Sequence, residues 1–263
     1  MLSKTRLKEL CAYRQQKLQD KEGLFIVEGV KMANEALQWG AEVVCICATS
    51  EWLEQVDSGK HSAEIYEVTP TELERLSLMR TPNQVWMLVK RVANGKWPAV
   101  INTAILEINS KITYRTSNLT LVLDRLQDPG NMGTIMRTAD WYGVRHIICS
   151  HDTVSCYNSK VVQASMGAIF RTCVEYVDLP RWLADCGQPV YGASLQGEKL
   201  SSIDLQPSTP KVLIIGNESR GISPETMEQV SHPVLIPNRG GSAESLNAAV
   251  AAAILMDRLV GEL

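Results

Sequence analysis

Two apolar runs that break on glycine-rich turns, followed by an alanine-rich apolar segment, most tightly constrain the fold of this chain. The first run, Val212-Leu213-Ile214-Ile215, breaks at Gly216-Asn217-Glu218-Ser219-Arg220-Gly221. The second, Val234-Leu235-Ile236-Pro237, breaks at Asn238-Arg239-Gly240-Gly241. Ser242-Ala243-Glu244-Ser245-Leu246-Asn247 then leads into the apolar segment from Ala248 to Met256. Glycine lets a backbone approach a ligand closely, and the N–H groups at a helix start are free to bind one. In an open α/β sheet, ligands sit outside the carboxyl ends of the strands, where these turns fall. A small-molecule pocket is expected here.

Upstream, the pattern from Leu119 alternates strand and helix. Leu121-Val122-Leu123 predicts a buried strand, and Asp128-Pro129-Gly130-Asn131 a turn into a helix ending near Tyr142. Strands are predicted at Arg145–Cys149, Thr172–Val177 and Val190–Ala193, with helices at Ser159–Ala168 and Pro180–Cys186. The expectation is an α/β domain, residues 118–263, with a mostly parallel sheet and helices on both faces. A smaller α/β domain is expected over residues 1–102. It opens with an amphipathic helix from Ser3 to Gln19, and Thr69-Pro70 with Glu72 starts a later helix. Residues 103–117 are read as a connection, with Thr103–Ile108 and Ile112–Tyr114 as strand fragments.

Composition excludes several classes. There is no basic-then-apolar leader and no apolar run of about 18 residues, so no membrane span is expected. Seven scattered cysteines argue against a disulfide framework, and Cys45 and Cys47 lack a zinc-site spacing. The four histidines show no ligand spacing either, so no metal is expected. A reduced, cytoplasmic protein is the economical reading.

Net charge is −3, yet the charges are segregated. Residues 1–31 hold seven Lys/Arg against four acids; Glu35–Glu74 holds nine acids and one base; Arg75–Lys96 holds five bases and no acid. A basic face that binds phosphate is one consequence, with Arg14, Lys17 and Lys21 as candidates; solvated helices are the plainer one.

Taken singly, the polar motifs have plain explanations. Asn131 could cap a helix and Arg137 form a salt bridge; Glu218 could be solvated; Ser245 and Asn247 could be caps. Together, at strand ends of one α/β half, they point to a site. In this order the motifs resemble those of the SpoU/TrmH branch of the SPOUT RNA methyltransferases. Asp128-Pro-Gly-Asn-Met-Gly-Thr-Ile-Met-Arg-Thr-Ala139 is similar to that family's first motif and Gly216-Asn-Glu-Ser-Arg-Gly221 to its second. Ile236-Pro237 with Glu244-Ser-Leu-Asn247 resembles its third, and Ala164-Ser-Met-Gly-Ala168 is also family-like. Gly23-Leu-Phe-Ile-Val-Glu-Gly29 resembles the RNA-substrate domain that often precedes the catalytic one. Two departures stand out: Asn238 replaces a common Met in a loop one residue longer, and Gln163 stands where Arg is frequent.

The resemblance implies a trefoil knot at the carboxyl terminus, a homodimer through the catalytic domains, and S-adenosylmethionine-dependent methylation of a ribose 2′-hydroxyl in ribosomal or transfer RNA. It assigns Arg137 to the 2′-hydroxyl, as a general base or as a cation holding phosphate and a developing alkoxide. Asn131 would orient the substrate or Arg137, Glu218 would hold the second loop or Arg137, and Ser245 and Asn247 would fix the substrate end. Ser194, Leu195, Gly216, Asn217, Ile236, Pro237 and Leu246 would surround the cofactor. A base methyltransferase on a related scaffold and a catalytically silent RNA-binding relative are the alternatives.

Overall fold

The computed structural model describes residues 2–55, 62–92, 117–199 and 209–260. The apolar runs of the carboxyl-terminal half pair into one six-stranded sheet. Its strands are β5 (Leu119–Leu123), β6 (His146–Ser150), β7 (Cys173–Val177), β8 (Val190–Lys199), β9 (Lys211–Ile215) and β10 (His232–Leu235). They lie in the order β10-β8-β9-β5-β6-β7, and every neighbouring pair is parallel. Helices α6 (Pro129–Trp141), α7 (Ser159–Ser165), α8 (Leu179–Cys186), α9 (Pro224–Met227) and α10 (Ala248–Val260) make the connections and the final element.

Side chains of successive strand residues point to opposite faces, so these unbroken apolar runs feed two cores. Leu121, Leu123, Leu213 and Ile215 pack on one face with α6 and α10; Val122, Val212 and Ile214 pack on the other with Leu179 and Leu183 of α8.

The amino-terminal half forms a second α/β unit. It contains α1 (Lys4–Ala12), α2 (Gln16–Glu22), β1 (Leu24–Glu28), α3 (Val30–Gln38), β2 (Val43–Ala48), α4 (Ser50–Leu53), β3 (Glu64–Glu67), α5 (Pro70–Leu76) and β4 (Val85–Lys90). The sheet order is β1-β4-β2-β3, antiparallel except for the β2–β3 pair. At the start of α5, Thr69 and Glu72 form a reciprocal capping box, as Thr-Pro-x-Glu predicts.

Three expectations are corrected. The helix expected from Ser3 to Gln19 is two helices, because Gln15 is extended and the buried Gln19 side chain donates to the free Tyr13 carbonyl at 2.7 Å. The helix expected to reach Ala168 ends at Ser165, where Met166 and Gly167 turn left-handed; Ala168–Phe170 is a 3₁₀ turn. A Cβ on Gly167 would lie 2.8 Å from the Glu35 side chain, so glycine permits α3 to approach here. The strand expected at Val190–Ala193 runs to Lys199, with a bulge of five residues against β10 between Gly192 and Glu198. The fragments expected at 103–108 and 112–114 lie outside the described residues, as does the proposed connection up to residue 116.

The two units share one apolar cluster. Phe25 of β1 sits 4.9 Å from the Tyr157 ring and 6.3 Å from that of Phe170, centroid to centroid. Beside this contact, Arg171 donates to Asp140 at 2.8 Å, ion-pairs with Glu35 of α3 and lies over the Trp39 ring. Arg171→Ala would strand two partly buried carboxylates. Its expected cost is about 2 kcal/mol, below that of a fully buried pair, measured as a lower denaturant midpoint with unchanged slope.

Candidate functional site

Helix α6 begins at Asp128, whose Oδ1 accepts from the Asn131 backbone N–H at 2.7 Å, with Pro129 in the first turn. This cap holds Asn131 at the helix start, 9% exposed. Glu218 reaches across from the loop after β9. Its Oε1 accepts from Asp128 N at 3.2 Å and from Asn131 Nδ2 at 3.1 Å. Asn131 Oδ1 in turn accepts from Asn247 Nδ2 at 2.9 Å. Asn247 Oδ1 accepts from the N–H groups of Ala249 and Val250, capping α10.

Glu218, Asn131 and Asn247 therefore form one hydrogen-bonded chain through all three motifs. An ionised glutamate only accepts, so Asn131 must present its NH₂ to Glu218 and its oxygen to Asn247. Both amides are thus fixed in orientation. Glu218 is bonded to the 127–131 loop and to Asn131, and neither it nor Asn131 is bonded to Arg137.

The loop after β9 is held closed by paired backbone bonds between Asn217 and Gly221, each 2.9 Å. Asn217 Oδ1 accepts from the N–H groups of Ser219 and Arg220, while its Nδ2 donates to the Arg125 carbonyl at 2.8 Å. A Cβ on Gly216 would lie 2.2 Å from the Gly221 carbonyl carbon, so only glycine fits. Three residues given no role from sequence complete this framework. Asp124 is 2% exposed and accepts from Ser223 N at 2.6 Å; Arg125 carries a left-handed backbone, φ 57°. Asn238 organises the third loop. Its oxygen accepts from Gly240 N and Gly241 N, both at 2.8 Å, and its NH₂ donates to Gly241 O and Ala243 O. The departure at Asn238 thus supplies the internal brace of the longer loop. Only the strand-end position of Asp124 and the Asn-x-Gly-Gly spelling hinted at these roles.

Strand order places β10, β8 and β9 side by side. The carboxyl ends of β10 and β9 bring Ile236-Pro237 and Gly216-Asn217 to one rim, level with the Ser194-Leu195 bulge inside β8. Ser194 Oγ accepts from Gln196 N at 3.2 Å, bracing the bulge. Leu195 is 70% exposed, so an apolar side chain stands uncovered at this rim; Leu246, two residues before α10, is 48% exposed.

Arg137 lies apart from the Asn131 cluster. Six residues after Asn131, it is about 9 Å further along α6; it is exposed and makes no hydrogen bond or ion pair among the described residues. It shares its helix face with Thr134 and with Trp141, which is 85% exposed. Ser245 is exposed with no side-chain hydrogen bond among the described residues. Arg14 donates to the Arg75 carbonyl at 3.2 Å, and Lys17 and Lys21 project from α2 into solvent, all in the amino-terminal unit.

Every cysteine is a free thiol, and burial pushes that of Cys156 up to about 12. Among the described residues, no group of His, Cys, Asp and Glu could hold a metal ion. No described helix is long and apolar enough to cross a membrane.

Residues 118–257 match the model of the SpoU rRNA methylase family, and residues 4–86 that of the MRM3-like substrate binding domain. The chain is 36% identical over 149 residues to the 23S rRNA (guanosine(2553)-2′-O)-methyltransferase RlmP of Bacillus subtilis, covering 56% of this chain and 59% of that relative. A solved structure from Porphyromonas gingivalis, assigned to the TrmH family of RNA methyltransferases, superposes with TM-score 0.82 and 35% identity over 98% of both chains. The AdoMet-bound rRNA methyltransferase of Sinorhizobium meliloti superposes with TM-score 0.82 and 27% identity, covering 98% of this chain and 96% of that one.

Proposed function

The chain belongs to the SpoU rRNA methylase family, and from that premise we propose that it methylates a ribose 2′-hydroxyl of ribosomal RNA. The observation that carries the reading is the Glu218–Asn131–Asn247 chain, which locks three separate motifs beside the strand-end rim. The rim fits S-adenosylmethionine. Exposed Leu195 and Leu246 offer apolar surface to an adenine, and Gly216 leaves bare backbone where its polar edge would lie. The ribosomal choice rests on the SpoU rRNA methylase match over residues 118–257 and on the relative named for 23S rRNA. A cytoplasmic location belongs to the same proposal.

S-adenosylmethionine supplies a methyl group already activated as a sulfonium. The protein's own task is to align the ribose O2′ and accommodate the loss of its proton; alignment alone contributes several kcal/mol. Guanidinium stays protonated, so Arg137 holds a substrate phosphate and stabilises negative charge growing on O2′, whose proton passes to solvent water. Asn131 and Asn247, fixed by their mutual bond, and Ser245 position the ribose end, while Glu218 keeps the 127–131 loop in place. Pro237 and Asn217 shape the cofactor loops.

A homodimer through α6 and α10 completes this reading. Trp141, Val250 and Ile254 are exposed on these two helices, which are joined by Tyr142 Oη donating to Asp257 at 3.0 Å. Apolar surface of this kind calls for a partner. Arg137 stands on the same face, so a second copy would enclose it beside a neighbouring site. The carboxyl-terminal knot belongs to the same proposal.

Nucleoside mass spectrometry of ribosomal RNA treated with the protein and S-adenosylmethionine tests the function. A 2′-O-methylated nucleoside is expected; a methylated base would favour the base methyltransferase, and no product a silent RNA-binding relative.

RNA affinity should depend on the amino-terminal unit. Reversing Arg14, Lys17 and Lys21 to Glu is expected to weaken RNA binding about tenfold or more at low salt and flatten its salt dependence. Cofactor affinity, read by calorimetry, should be unchanged. Unaltered RNA affinity would reduce these residues to ordinary solvated surface.

A further inference from the structure

A cleft of 440 Å³ opens where the two units meet, away from the strand-end rim. One wall is Leu78 and Met79, in the loop after α5; the other is Ser159, Lys160, Gln163 and Ala164 of α7. Glu28 lies beneath and fixes the first wall. Its carboxylate accepts from Ser77 Oγ and, at 3.0 Å, from Leu78 N, while Met79 N donates to Ser77 Oγ at 2.9 Å. The second wall is tied to the first unit by Gln163 Nε2, which donates to the Glu28 carbonyl at 3.1 Å. The seam is therefore bonded from both sides, and the cleft between is preformed.

Its chemistry is mixed. Leu78 and Met79 give an apolar plate, with Leu78 37% exposed. Gln163 uses one amide hydrogen on Glu28 and keeps its oxygen and second hydrogen unbonded among the described residues. Lys160 is exposed with no ion pair among the described residues. Glu28 is 4% exposed, its carboxylate oxygens are taken up by Ser77 Oγ and Leu78 N, and burial raises its carboxyl above the usual range. The cleft also adjoins the catalytic helix. A Cβ on Gly133, two residues after Asn131, would lie 2.5 Å from the Ala164 Cβ. The cleft is thus about one helix spacing, roughly 10 Å, from the Asn131 cluster.

We propose that this cleft holds an unpaired nucleotide of the substrate RNA, near the methylated one. Its base lies on Leu78 and Met79 with the Gln163 amide at its edge, and its phosphate meets Lys160. The volume suits one nucleotide. An amide that both donates and accepts matches a base edge, and an ammonium matches a phosphate. This inference rests on the RNA methyltransferase reading and adds to it a site for a second nucleotide.

The test uses the full chain. Wild type, Leu78→Ser and Lys160→Ala are titrated with a single-stranded oligoadenylate of about ten nucleotides and with a duplex of equal length. Losing a base-stacking surface weakens single-strand binding on the order of tenfold. Leu78→Ser is expected to lose this for the single strand and not for the duplex; Lys160→Ala should weaken the single strand by a few-fold. In parallel, a ribosomal RNA transcript carrying 4-thiouridine should crosslink to a peptide containing Met79. Leu78 is surface-exposed, so an unchanged melting temperature and cofactor affinity are expected to verify folding. Unchanged single-strand affinity in Leu78→Ser, equal losses on the duplex, or crosslinks only elsewhere would overturn the proposal. The last outcome would leave the cleft to a protein partner. Methylation by wild type is scored separately: its absence sinks the proposed function, whereas methylation without these effects sinks only the nucleotide cleft.

Discussion

Arg137→Ala is expected to slow single-turnover methyl transfer by a factor on the order of a hundred or more, while S-adenosylmethionine affinity and melting temperature stay near wild type. The first half follows from the role proposed for the guanidinium: removing a positioned group that stabilises developing charge costs on this scale. The second half follows from its surroundings. Arg137 is exposed and makes no bond among the described residues, so alanine, the best helix former, removes no contact that supports α6. Arg137→Lys should also be slow, because a compact ammonium cannot reproduce the planar fork. Saturating RNA and cofactor isolate the chemical step. A wild-type rate in Arg137→Ala would remove this residue from the mechanism. If the dimer proposal holds, Trp141→Glu, one turn away on the same face, should lower activity by dissociating the enclosing copy, an effect that depends on protein concentration.

Gly216→Ala should weaken S-adenosylmethionine binding by about tenfold to a hundredfold. The added Cβ would lie 2.2 Å from Gly221 C and 2.3 Å from Ile222 N, both backbone atoms that cannot swing aside as a flexible side chain would. Relieving an overlap of this kind costs about 1–3 kcal/mol and separates the Asn217–Gly221 pair. The loop carries Glu218, so the Asp128 and Asn131 bonds should loosen as well. Gly221→Ala is the control: its Cβ meets nothing within 4 Å, and its left-handed φ of 68° costs only about 1 kcal/mol. Calorimetry should rank the losses Gly216→Ala above Gly221→Ala. Equal affinities for Gly216→Ala and wild type would show that this loop does not shape the cofactor site.

Much of the architecture is local in origin. The runs at 121–123 and 212–215 are apolar at every position, which requires burial on both faces and hence a helix-covered parallel sheet. Thr69-Pro-x-Glu dictated the start of α5, and Asp128-Pro129 that of α6, because a capping oxygen satisfies N–H groups only a few residues away. These signals act over one turn, so one sequence contains them whole. The two-helix break at Tyr13 was not legible, since it depends on a buried Gln19 finding a carbonyl six residues back. The bulge before Glu198 was likewise hidden; it exists because β10 approaches Gly197 so closely that a Cβ there would lie 2.4 Å from the Pro233 carbonyl carbon.

The candidate site divides the same way. Sequence alone determined that Asn131, Glu218 and Asn247 stand at element ends, where unpaired backbone groups and short polar side chains meet. Tertiary structure decided their partners: residues 87 and 116 positions apart bond because β9 lies beside β5 and α10 packs on α6. It also decided that Glu218 serves the 127–131 loop and that Arg137 faces outward, since six helical residues turn a side chain well away from the face holding Asn131. Gln163, read from sequence only as a replacement for a common Arg, is a tie to Glu28 because the two units pack together there. Periodicity and capping are written within a few residues, whereas contacts between distant segments exist only after strand order has been chosen.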